Sequence, residues 1–224
     1  MIRETSVRVG KTPVPRLALL TFVTSVSLSL SATQAHARII QEVTENTQTA
    51  RSVEDSNSKG GSSCNKLTEV SSPIRAGQQA FRHWVDRCGE RAEFATDRTN
   101  IGSTYWYGWS MLIPDEQLSD SYDILAQWAT YPTPRNGGFE CGANGSYIVR
   151  SGNSVAFKLQ HKGDRTDIDC QHFPLVELSE IRGKWVDYVM QAKWTGNSDG
   201  FVKMWVKVGD APYELKVDYQ GRTF

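Results

Sequence analysis

Tyr105-Trp106-Tyr107-Gly108-Trp109-Ser110-Met111-Leu112-Ile113-Pro114 and Asp123-Ile124-Leu125-Ala126-Gln127-Trp128 are the two runs whose reading decides the fold. Both are dense in aromatic and aliphatic residues, and the segment 115–121 between them is rich in turn-forming residues. That composition predicts two β-strands joined by a loop. Side chains alternate along a strand, so the second run is expected to place Gln127, Leu125 and Ala129 on one face. Ile124, Ala126 and Trp128 are expected on the other. An amide on the face of a sheet either meets solvent or binds a ligand, which makes Gln127 the first candidate for a functional role.

Working outward, residues 80–85 alternate and predict a strand, and 86–89 a turn. Residues 91–96 predict the next strand, with Arg91 and Glu93 sharing a face. Residues 146–150 and 154–162 predict a hairpin around Gly152-Asn153. Residues 184–194 and 201–208 predict two long strands separated by the tight turn 196–200. The second of them carries Phe201, Lys203, Trp205 and Lys207 on one face. A short strand over 213–217 follows. Residues 132–145 read as a long loop, and 164–172 as an acidic loop carrying Cys170. Sustained helical periodicity is absent, so the fold class is all-β, a sandwich or jelly roll.

The chain carries 25 basic and 25 acidic residues, but the N-terminus distorts that balance. Residues 1–37 hold Arg3, Arg8, Lys11 and Arg16 against Glu4, then an uncharged apolar run over 17–30, then Ala35-His36-Ala37. This is the layout of a cleaved secretory signal. The apolar run is shorter than the roughly 20 residues a membrane span needs. Residues 38–63 read as a polar linker, and 64–224 as the folded domain. The exported part is slightly acidic overall, whereas a nucleic-acid binder normally carries a net basic surface, which argues against nucleic-acid binding. A secreted or periplasmic monomer, free of the membrane after cleavage, is expected.

Cys64, Cys88, Cys141 and Cys170 are the cysteines. An even count in an exported chain favours two disulfides, with three pairings open. Cys64–Cys88 and Cys141–Cys170 are preferred, since sequence neighbours tend to be spatial neighbours in a meander. Each would stabilise by about 3 kcal/mol. No C-x-x-C spacing exists, so no metal site is expected from the cysteines. Asp164, Asp167 and Asp169 offer carboxylates for a structural calcium but lack the EF-hand pattern. An exposed acidic turn is the better reading, and no cofactor is expected.

Several motifs occur in a fixed order: Arg91-Ala92-Glu93, Tyr105 to Trp109, Leu112-Ile113-Pro114, Leu125-Ala126-Gln127-Trp128, Gly183-Lys184-Trp185-Val186-Asp187-Tyr188, and Asp199-Gly200-Phe201-Val202-Lys203-Met204-Trp205. Together they resemble the polysaccharide lyases related to heparin lyase I and glucuronan lyase, over roughly residues 65–217. The resemblance implies a concanavalin A-like β-jelly roll of two antiparallel sheets, one of which forms a groove for an acidic polysaccharide. It also implies cleavage by β-elimination. A base takes the C5 proton of a uronic acid, cationic or amide groups neutralise the carboxylate, and an acid protonates the leaving oxygen. The family commonly shows Gln-Trp-His where this chain has Gln127-Trp128-Ala129. It commonly closes with a strand Tyr-x-Lys-x-Gly-x-Tyr that supplies a catalytic tyrosine, and no such motif precedes Phe224. The jelly roll is therefore expected without its last strand.

The catalytic candidates are Gln127 and Arg91 toward the carboxylate, and His161 and His172 for proton transfer, with His83 a weaker third. His161 shares a strand face with Phe157 and Leu159, which favours a packed position. Lys158 and Gln160 fall on the other face and suit a groove. Glu93 can orient Arg91. Tyr105 and Tyr107 can contact sugar or pack the sheet, the latter being the commoner use of aromatics. Lys203 and Trp205 form a basic and aromatic stripe suited to a polyanionic sugar.

Overall fold

A computed structural model describes residues 2–6, 65–86, 92, 99–115, 122–129, 145–162 and 168–223. In chain order the strands are β1 Ile2–Ser6, β2 Asn65–Val70, β3 Ala80–Val85, β4 Thr104–Leu112, β5 Asp123–Trp128, β6 Ser146–Ser151 and β7 Ser154–Lys162. They continue with β8 Ile168–Glu177, β9 Trp185–Lys193, β10 Phe201–Val208 and β11 Glu214–Gln220. One helical turn, α1 Leu178–Ile181, links β8 to β9. Among the described residues no helix is long and apolar enough to cross a membrane. The strands form two antiparallel sheets, one ordered β11-β10-β9-β4-β1-β3-β2 and the other β5-β6-β7-β8. This is the all-β jelly-roll arrangement expected.

The two runs that opened the reading do not pair with each other. β4 lies inside the larger sheet against β9, while β5 is an edge of the four-stranded sheet. They meet across the interior instead, where Trp109 of β4 and Trp128 of β5 lie 5.5 Å apart, centroid to centroid. Trp128 also touches Tyr107, Phe157 and Trp194 at 5.8, 6.1 and 6.0 Å. Around this aromatic group alternate residues of each sheet face inward. They include Val186, Tyr188 and Met190 of β9, Val202, Met204 and Val206 of β10, and Ile148, Phe157 and Leu159 of β6 and β7. Each fully buried side chain of this kind stabilises by about 2 kcal/mol, and the strict alternation fixes which side chains are left outside.

The strand bounds at 80–85, 123–128, 154–162 and 201–208 agree with the alternation, and four details differ from it. A register shift between Ile124 and Ala126 breaks the alternation of β5. Ile124 consequently packs with Tyr147 and Val149, while Leu125 joins Ala126 and Trp128 on the main core. Residues 168–172 belong to strand β8, not to a loop. Pro174 interrupts this strand in the sequence but is tolerated because β8 is an edge strand and the register shifts beside it. β11 runs on to Gln220, three residues past the expected end. β1 and β2 have no counterpart among the expected strands, and β1, within the leader-like segment, pairs with both β3 and β4.

Gly145 enters β6 at φ +88°, where a Cβ would stand 2.2 Å from the Trp128 carbonyl oxygen. Only glycine permits that approach of β6 to the end of β5. The strand expected at 91–96 apart from Ala92, the linker 38–63 and most of the loop 132–145 lie outside the described residues.

Candidate active site

The register of the four-stranded sheet brings Gln127, Tyr147, Lys158 and His172 directly opposite one another on β5, β6, β7 and β8. Opposed residues of antiparallel strands share a face, and the strands lie about 4.8 Å apart, so the four form a row about 14 Å long. Phe157, Leu159 and His161 of β7 are buried, the first two within the core between the sheets. Lys158 and Gln160 therefore point the other way, onto the outer face. Gln127 and His172 are exposed there, Lys158 is half-buried and Gln160 is buried. The Ser146 hydroxyl accepts the Gln160 backbone N–H at 3.3 Å.

Tyr122 joins Tyr147 at the row, and the strand pattern singled out neither tyrosine. The Tyr122 hydroxyl donates to that of Tyr147 at 2.9 Å. Lys158 Nζ stands 5.3 Å from the Tyr122 ring centroid and 5.7 Å from that of Tyr147, within cation–π reach of both. Tyr147 is wholly buried, and burial, with the Tyr122 hydrogen bond adding to it, pushes its phenol up so that it stays protonated. Burial and then the Lys158 charge lower His172 below the ordinary imidazole value. The arrangement is thus a neutral imidazole, an ammonium, an amide and a pair of phenols on one sheet face. Such a set can bind a carboxylate, accept a proton and donate one. Tyr147 had a readable signal, since Ile148 faces the core and its neighbour must face outward. Tyr122 lies before the strand, beyond the reach of alternation.

The base of this face is pinned from inside. Arg150, 2% exposed, donates through Nε at 2.7 Å and through a second guanidinium nitrogen to the Asp123 carboxylate. This buried ion pair ties β6 to the start of β5, directly after Tyr122.

The remaining candidates lie elsewhere. His161 is packed between the sheets, with Nε2 3.3 Å from the Tyr219 hydroxyl of β11, which also donates to the Arg222 carbonyl at 2.9 Å. Sequence reading stopped the last strand short of Tyr219 and so missed this contact. His83 is buried, with Nδ1 2.8 Å from the Ala92 carbonyl. Tyr107 packs against Trp128, and its hydroxyl accepts the Trp194 indole N–H at 2.9 Å. The Tyr105 hydroxyl accepts the Asn100 backbone N–H at 3.0 Å. Lys203 and Trp205 alternate with buried Val202, Met204 and Val206 of β10. They therefore sit on the outer face of the seven-stranded sheet, across the molecule from Gln127. A single trough holding both sets does not exist.

Arg91, Glu93, Cys64, Cys88 and Cys141 lie outside the described residues. Cys170 of β8 is disulfide-bonded. Among the described residues no group of three or more His, Cys, Asp or Glu is placed to hold a metal ion. Asp164 and Asp167, named above for calcium, lie outside them, as does the side chain of Asp169.

The family model described as polysaccharide lyase matches residues 29–223. The crystal structure of endo-beta-1,4-glucuronan lyase from the fungus Trichoderma reesei is similar, with a TM-score of 0.51. The likeness covers 70% of this chain and 71% of that one at 19% identity, and it speaks for a shared fold. No curated protein matches the chain.

Proposed function

The chain belongs to the polysaccharide lyase family and is a carbon–oxygen lyase, and from that premise we propose that it cleaves a uronic-acid-containing polysaccharide by β-elimination on the outer face of the four-stranded sheet. The observation that carries this reading is the row Gln127, Tyr147, Lys158 and His172, set side by side by the strand register. The Gln127 amide and the Lys158 ammonium neutralise the uronate carboxylate, which lets negative charge develop at C5. His172, uncharged because burial and Lys158 lower it, accepts the C5 proton. The electron pair of that bond forms the C4–C5 double bond as the C4–O bond breaks. The Tyr122 phenol protonates the departing oxygen, and the Tyr147 hydroxyl, 2.9 Å away, donates to the phenolate left behind. Arg91 is proposed as a further carboxylate-binding group, with Glu93 orienting its guanidinium.

The test is incubation with alginate, glucuronan and heparin-type chains, following absorbance of the new double bond. Growth of that absorbance on one of them is expected, and none on any of them would defeat the reading. A second reading, glycan binding without cleavage, is favoured by Ala129, exposed at the end of β5 where the resembling lyases carry histidine. Binding with no double-bond product would select it.

The leader-like residues 1–37 support export to a secreted or periplasmic location. The oxidised state of Cys170 fits such a compartment, and Cys141 is its proposed partner.

A further inference from the structure

The seven-stranded sheet carries an aromatic platform on its outer face, away from the row just described. Trp106 of β4 and Trp205 of β10 reach toward each other over β9 and stack, with centroids 5.8 Å apart and planes 18° apart. Trp106 is still 56% exposed, and Leu215 of β11, opposite Trp205, is 47% exposed. An exposed indole stacked on a half-buried one, on a rigid sheet and beside an exposed aliphatic neighbour, forms a contiguous apolar surface of the kind that marks an interaction site.

The charges around it indicate the partner. The outward positions of β9 and β10 supply Lys193, Lys203 and Lys207 against Asp187, and Asp187 is already held by Arg75 at 2.7 and 3.0 Å. Lys203 lies beside Trp205 on β10 and meets Asp218 at 3.5 Å, with both side chains exposed. Lys193 pairs with Asp199, whose side chain is 59% exposed. Exposed pairs of this kind are weak, so a carboxylate on a ligand can exchange for either acid. The broad faces of pyranose rings are apolar and stack on indoles, and their carboxylates then lie within reach of the lysines.

We propose that Trp106, Trp205 and Lys203 form a second binding surface for an acidic polysaccharide, separate from the cleavage row and on the opposite side of the sandwich. It would hold a distant stretch of the same polymer, or a neighbouring chain, while the row cleaves. The choice of an acidic glycan rests on the proposed function; the existence of the surface does not.

The test is affinity electrophoresis of the full chain in gels cast with glucuronan or alginate. All variants carry Lys158→Ala, which disables the row so that the polymer stays intact. The Lys158→Ala protein is expected to be retarded by at least one of the two polymers. Adding Trp106→Ala and Trp205→Ala is expected to weaken the apparent affinity by about tenfold, the scale of a lost aromatic contact. Trp106→Ala alone, at an exposed site, and Lys203→Gln should each give part of that loss with unchanged melting temperature. Retardation unaffected by the tryptophan changes would overturn the proposal. So would a dimer in sedimentation that Trp106→Ala dissociates, because a second copy of the chain would then be the occupant. A wild-type protein that forms no double-bond product on any acidic glycan defeats the catalytic reading and leaves the retardation result standing.

Discussion

Lys158 sets the electrostatics of the row, because its ammonium faces two aromatic rings and lowers the neighbouring imidazole of His172. A base whose value is lowered stays active to lower pH. Replacing Lys158 with Gln removes the opposing charge, so His172 should rise toward its ordinary value. The acid limb of the kcat/KM profile is then expected to move to higher pH, alongside a fall in kcat from the lost carboxylate neutraliser. A profile that keeps its acid limb while kcat falls would remove His172 from the base role. In the core, the Tyr188 hydroxyl is fully buried and has no hydrogen-bond partner among the described residues. An unsatisfied buried hydroxyl costs about 1–3 kcal/mol. Tyr188→Phe, which keeps the stacking on Trp109 at 5.0 Å, is therefore expected to be neutral or to stabilise by about 1 kcal/mol. Thermal unfolding checks this, and a clear loss of stability would contradict it.

Between elements, the segment after β2 is latched onto the outer face of the seven-stranded sheet. Arg75 donates two hydrogen bonds to Asp187 of β9, and the Ser110 hydroxyl of β4 donates a third at 2.7 Å. Burial works to raise the Asp187 carboxyl, but the Arg75 and Ser110 hydrogen bonds and the Arg75 charge outweigh it and hold the group below the usual range. A lowered carboxyl contributes stability above its unfolded value, and the contribution fades as pH falls through the folded one. Arg75→Ala is expected to lose about 2 kcal/mol at pH 7, with the difference from wild type shrinking below about pH 4. Urea unfolding at the two pH values measures it, and a difference that does not change with pH would contradict the latch.

Most of the site face was readable at this same scale. β7 separates Phe157, Leu159 and His161 from Lys158 and Gln160 by alternation alone. What could not be read depends on the partner strand. The bulge that sends Ile124 outward arises from pairing with β6. His172 joins the row only once residues 168–172, polar enough to pass for a loop, are recognised as the start of β8. Lys203 and Trp205 showed a face but not which side of which sheet. Alternation gives the parity of a side chain and says nothing of the layer it belongs to.

For the molecule as a whole, the two sheets present outer faces of different chemistry. One carries the neutral imidazole, ammonium and amide suited to elimination, the other the stacked indoles suited to holding polymer. Intact-mass measurement of the exported protein is expected to show a chain beginning at Arg38, which would also remove β1 from between β3 and β4. Retention of residues 2–6 would contradict the leader reading. The central question for the molecule is where the chemistry occurs. The direct measurement is the rate of double-bond formation on the best acidic glycan for wild type, Gln127→Ala and Lys158→Ala, each shown to be folded. Loss of one preorganised group that meets developing charge should lower kcat by about 100-fold or more in either variant, whereas rates within a few-fold of wild type would place the reaction on some other part of the molecule.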